Sequence, residues 1–180
     1  MRRFWRGIAI FLLGGVLGTA FGIVLGFFFP YVFPPPPAFE QLTQADVAPR
    51  SGAAPSTAVV DKPPAPVASG TFIHANPSDP VHWGHGKVSV YERTVFLEPD
   101  FEVGPGPKYH VYLVPKANIR KEADVKNAMF VDLGRLRSFK GSQRYPIPDG
   151  VDLKNYQSVV IWCEQFGVLI TPADLMAAAR

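Results

Sequence analysis

The 180-residue chain has one cysteine, Cys163. An internal disulfide is therefore excluded, as are paired-thiol redox motifs and zinc sites built from several cysteines. Basic charge is scarce where a domain could use it. The formal net charge is +3, but Arg2, Arg3 and Arg6 crowd the N-terminus, and from Ser69 onward 13 Lys/Arg stand against 12 Asp/Glu. No basic face is left for a polyanion, so nucleic acid is not expected as a partner. The chain also lacks a glycine-rich phosphate loop, a serine nucleophile elbow and a paired-carboxylate motif. A conventional enzyme is not expected.

Charge is missing altogether from Gly7 to Phe29, a run of 23 residues. As a helix this run extends roughly 34 Å, which predicts a single transmembrane helix. Arg2, Arg3 and Arg6 precede it and the next charge is Glu40. Positive-inside asymmetry then predicts a single-pass protein of a bacterial cytoplasmic (inner) membrane, with everything after Pro30 in the periplasm. The rival is a cleaved signal peptide, but the apolar run continues through Phe21–Phe29 beyond the small residues Gly18-Thr19-Ala20. Gly14, Gly18, Gly22 and Gly26 recur every four residues and align as a ridge without side chains. Such a ridge lets a second helix approach closely. The expected partners are the lipid bilayer and transmembrane helices, either of a larger membrane complex or of a second copy of this chain.

Proline is concentrated rather than spread. Ten of the 19 prolines lie between Pro30 and Pro66. Residues 30–68 accordingly read as a semi-rigid, proline-rich tether with little core of its own. This divides the chain into a cytoplasmic stub and anchor (1–29), a linker (30–68) and a folded domain (69–180).

From Ser69 the pattern is one of short apolar or alternating runs, broken by Gly, Pro and Asp. Strands are predicted at Gly70–His74, Gly86–Glu92, Thr94–Glu98, Tyr109–Val114, Met129–Leu133, Gln143–Ile147, Ser158–Cys163 and Phe166–Ile170. Arg120–Asn127 and Ala173–Ala179 read as short helices. The expected fold is all-β, an antiparallel β-sandwich. Both faces of Ser158–Cys163 are apolar, which predicts a central strand whose outer face is covered.

Cys163 is a packing residue, a reactive thiol or a ligand. Strand alternation places it on the apolar face with Val159 and Ile161, where a thiol is held neutral. Four histidines are available: His74, His82, His85 and His110. His82-Trp83-Gly84-His85 has a spacing open to metal chelation. Among the acids, Asp132, Asp149, Asp152 and Glu164 offer no pair with catalytic spacing.

Several blocks carry a family resemblance: Ser69-Gly70-Thr71-Phe72; His82 followed by Gly86-Lys87-Val88-Ser89-Val90; Pro105-Gly106-Pro107 running into Lys108-Tyr109-His110-Val111-Tyr112-Leu113; Val131-Asp132-Leu133-Gly134; and Tyr145 to Phe166. Together they resemble the DM-thirteen domain, a family assigned to electron transfer. The resemblance implies a redox role centred on Cys163, and marks His82, His110 and Cys163 as positions matching the family pattern. Two imidazoles and a thiolate form a soft ligand set for copper or zinc, and family relatives accompany haem-binding domains, so copper or haem is what the resemblance implies; the residues read by themselves are a loop histidine, a half-buried histidine and a core thiol, and on that reading no cofactor is expected. Ile170-Thr171-Pro172-Ala173 departs from the pattern, where a glycine-containing turn is usual. Two functional expectations follow. The first is a periplasmic accessory subunit docked through its glycine-ridged helix on a respiratory or photosynthetic redox complex. The second is an electron-transfer module acting through Cys163 or a bound metal or haem.

Overall fold

The computed structural model describes residues 2–50, 58, 59 and 61–178. They fall into two units, Met1–Pro34 and Pro35–Arg180. The first is a single helix, α1, Arg2–Val32. The second holds β1 (Ala38–Phe39), α2 (Gln44–Val47), β2 (Ala68–Phe72), β3 (Gly84–Val90), β4 (Thr94–Leu97), β5 (Glu102–Val103) and β6 (Tyr109–Val114). It continues with α3 (Glu122–Lys126), β7 (Val131–Arg135), β8 (Gly141–Pro146), β9 (Ser158–Cys163) and β10 (Val168–Ala177).

The expected transmembrane helix is corrected. Among the described residues, no helix is long and apolar enough to cross a membrane. On α1, a methyl group added at Gly14, Gly18, Gly22 or Gly26 meets no atom of the described residues within 4 Å.

The β-sandwich is also corrected. The strands form one continuous sheet in the order β1-β8-β4-β3-β2-β10-β9-β6-β7, with β5 paired to β3. Every pairing is antiparallel except β1 with β8. The cumulative twist of a sheet this wide curls it into a half barrel around its own inner face, so no second sheet is needed to bury it. Phe72, Val88, Leu97, Phe101, Val111, Leu113, Val159, Ile161 and Ile170 fill that interior. The strand predictions for β6 and β9 match residue for residue, and the others fall within two residues except at the chain end. There β10 runs straight through Ala173–Ala177, where a helix was expected. Pro172 is tolerated inside the sheet because a register shift between Leu169 and Thr171 breaks the ladder beside it.

The tether reading changes as well. Ala38 and Glu40 donate backbone hydrogen bonds to Lys140 and Ser142. Leu42 is buried with Tyr91 and Phe96, and the Glu40 carboxylate accepts from the Arg137 guanidinium at 2.9 Å. Asp46 accepts from Thr94 and Arg144 at 2.8 Å each. Residues 38–46 of the proline-rich segment are thus strapped onto the domain, and the second compact unit begins at Pro35, before Ser69.

Candidate functional site

β9 lies between β10 and β6, and its alternation gives its two faces different surroundings. Val159, Ile161 and Cys163 point into the half barrel. Val160 and Trp162 point outward, into a second apolar cluster with Tyr112, Ile119, Val125 and Leu169. The segment carrying α3 covers this outer face through Ile119 and Val125, as expected for a strand apolar on both sides.

Cys163 closes the inner face. It is 1% exposed, and its thiol donates to the Pro107 carbonyl at 3.2 Å. The amides of Gln165 and Phe166 are directed at the sulfur, but burial outweighs them and pushes the thiol pKa above its ordinary value. The thiolate is the nucleophile and the metal ligand, so this environment keeps Cys163 protonated and unreactive. The covering loop packs tightly: any side chain at Gly106 would collide with the Tyr109 hydroxyl. Tyr109 is the cross-strand partner of Cys163.

His110 is the next residue on β6, paired with Trp162, and therefore projects from the opposite face of the sheet. Its Nδ1–H donates to Asp132, at 2.9 Å to Oδ2 and 3.1 Å to Oδ1. Its Nε2 lies 3.5 Å from Glu164 Oε2. Asp132 reaches this point because the β6–β7 register shifts between His110 and Tyr112. Gly134 supplies the bulge with φ of 113°, a conformation that L side chains rarely adopt, and its N–H donates to Asp132 Oδ1 at 2.8 Å. Glu164 opens the turn after β9. Its N–H donates to the Lys108 carbonyl at 3.1 Å, and Lys108 Nζ lies 3.2 Å from Glu164 Oε2. That ammonium, ahead of the Tyr112 hydroxyl and His110, holds the Glu164 carboxyl below its usual range. The Tyr112 hydroxyl donates to Glu164 Oε1 at 3.1 Å. Burial first, and this carboxylate second, raise the Tyr112 pKa well above the usual phenol range. Phe130 stacks on Tyr112 with ring centroids 4.1 Å apart.

His82 is engaged elsewhere. Its Nδ1 lies 2.6 Å from Asp79 Oδ2, and its N–H donates to Oδ1 of the same carboxylate. The His82 hydrogen bond, reinforced by the Val81 amide, draws the Asp79 pKa down to about 2. His74 Nε2 bonds the Asp79 carbonyl at 2.8 Å. His85 stacks on Trp83 at 5.8 Å and lies 3.8 Å from Glu102. The His82–His85 spacing therefore leads to two separate sets of partners.

The expected metal set of His82, His110 and Cys163 is not assembled. His110 and Cys163 stand on opposite faces of one sheet with the main chain between them, and the thiol is neutral. Copper, zinc or haem held jointly by these three does not fit the geometry. Among the described residues, the one group of three or more His, Cys, Asp or Glu donors within 4.8 Å of one another is His110, Asp132 and Glu164. Asp132 and Glu164 are 22 and 54 positions from His110 in the chain, so no spacing rule could join them. The local signals were an Asp two residues before a glycine inside a strand and an acid directly after the buried cysteine.

Neither a curated protein nor a solved structure matches the chain. One family model does, described as electron transfer DM13, over residues 77–175. That span covers more than half of the chain and takes in β3 to β9, both faces of β9 and the His110 cluster. The chain belongs to the electron transfer DM13 family, and its role is redox-related.

Proposed function

We propose that the chain serves this redox-related role as an accessory module of a larger redox assembly, docking through α1, without a catalytic step of its own. The observation that carries the reading is the contrast between a sealed thiol and an open helix. Cys163 is buried, neutral and cut off from every histidine on the outer face. A reactive redox cysteine needs a lowered pKa and access, and this one has neither. On α1, Ile10, Phe11, Val16, Phe21 and Ile23 are each at least 67% exposed. An apolar surface of this extent marks a contact site. The glycine ridge supports helical partners, because helix axes can approach closely where side chains are absent.

The test is co-purification in a mild detergent. A redox complex with visible absorbance should accompany the wild-type chain. Gly18→Leu with Gly22→Leu should lose it while the β-domain keeps its circular dichroism. Cys163→Ala should retain it. Association that survives the leucine pair, or that is lost with Cys163→Ala, would instead favour electron transfer by the domain through its thiol.

A further inference from the structure

The outer face at the end of β9 is more organised than a surface ion pair requires. We propose that His110 and Glu164 form a binding site for a divalent first-row cation of the Zn²⁺ type, with Asp132 orienting the imidazole. His110 Nε2 and Glu164 Oε2 lie 3.5 Å apart. Two donors each about 2.1 Å from one ion, at a tetrahedral angle, are separated by about 3.4 Å, so the pair is already spaced as ligands.

The outer partners match that role. His110 gives its other ring nitrogen to Asp132 at 2.9 Å, so that in the neutral ring Nε2, beside Glu164, is the nitrogen left to bind a cation. A carboxylate on the far nitrogen of a ligating histidine fixes its tautomer and orientation. Asp132 is itself held by the Gly134 amide at 2.8 Å. Glu164 gives its second oxygen to the Tyr112 hydroxyl at 3.1 Å. Each ligand thus has its own support. One imidazole and one carboxylate, completed by water, suit a borderline divalent ion; with no thiolate on this face, a soft monovalent ion is disfavoured.

Lys108 is the competitor. Its Nζ stands 3.2 Å from the same Glu164 oxygen, and its side chain is 56% exposed. A long, solvated side chain can swing away, so the ammonium fills the cation position until a metal displaces it.

The site stands independently of the docking role proposed for α1. It is tested by calorimetric titration of the full chain with zinc chloride. One Zn²⁺ per chain is expected. His110→Gln and Glu164→Gln should each weaken binding at least tenfold, and His82→Gln should leave it unchanged. Lys108→Met should strengthen it severalfold. That last variant separates a site from a damaged fold, because misfolding does not improve affinity. In the wild-type chain, Zn²⁺ should shift the His110 imidazole nitrogens in NMR spectra and leave those of His82 in place. Absence of binding, full affinity in His110→Gln, loss of affinity in His82→Gln or no gain in Lys108→Met would each overturn the proposal.

Discussion

On the inner face of β9, Val159, Ile161 and Cys163 meet Tyr109, Val111 and Leu113 in a dry interior. On the outer face, Val160 and Trp162 pack under α3, and the same sheet then runs out to His110, Asp132 and Glu164 at the surface. One strand and one period of two separate a thiol that cannot ionise readily from a charged cluster that water can reach. The family's electron-transfer label invites a reading that joins Cys163 to the histidines. For His110 the pleat forbids it, because His110 follows Tyr109, the cross-strand partner of Cys163, and neighbours on one strand point to opposite sides.

The contrast breaks most visibly in the core. Ile161→Ala removes a fully buried inner-face side chain and should cost about 2–5 kcal/mol in urea unfolding. His110→Gln on the other face should cost less than about 1 kcal/mol, since its pairings are partly solvated. Equal costs would show that the faces are not energetically distinct.

A smaller effect is expected at the bulge. Gly134→Ala forces a side chain into a φ of 113° and should cost about 1–3 kcal/mol. It should also loosen Asp132 from His110, visible as a change in the His110 ring-nitrogen chemical shifts by NMR. A neutral substitution would mean that the bulge does not hold the cluster.

The faces should also answer pH in opposite directions. Burial raises the Cys163 pKa above its ordinary 9.0 and pushes the Tyr145 pKa from 10.0 up to about 12. A folded pKa above the unfolded one means that stability is intact at lower pH and is lost as pH rises. Unfolding free energy should therefore fall above pH 9.0, and Cys163→Ala should remove the first part of that decline. The Glu164 pKa is lowered, chiefly by Lys108. Its contribution is present above the ordinary carboxylate range and is lost as pH falls through the lowered value. Lys108→Met should slightly lower stability above the ordinary carboxylate range and make the decline on the acid side smaller. This is the smallest effect predicted, because the pair is solvated.

Much of the half barrel was legible in the sequence. β6 and β9 could be read residue for residue because both are long apolar runs bounded by turn residues, and alternation placed Cys163 on its inner face. Other elements left little trace. β1 and β5 have two residues each and owe their existence to partners far along the chain. The end of β10 contains Ala173, Leu175, Met176 and Ala177, which favour a helix locally, yet pairing with β2 and β9 overrides that preference. A count of short strands does not reveal whether a sheet splits into two or curls into one. The His110 cluster was hidden for a related reason: its members are distant in sequence, and a one-residue bulge decides whether Asp132 faces the imidazole.

Cys163 is sealed inside the half barrel, away from the outer-face cluster. Alkylation of the native chain at pH 8, followed by mass spectrometry of the Cys163 peptide, tests it most directly. Labelling should be at least a hundredfold slower than in denatured protein, and should accelerate only as denaturant opens the fold. Rapid labelling of the native chain, at a rate near that of a free thiol and independent of denaturant, would contradict the account.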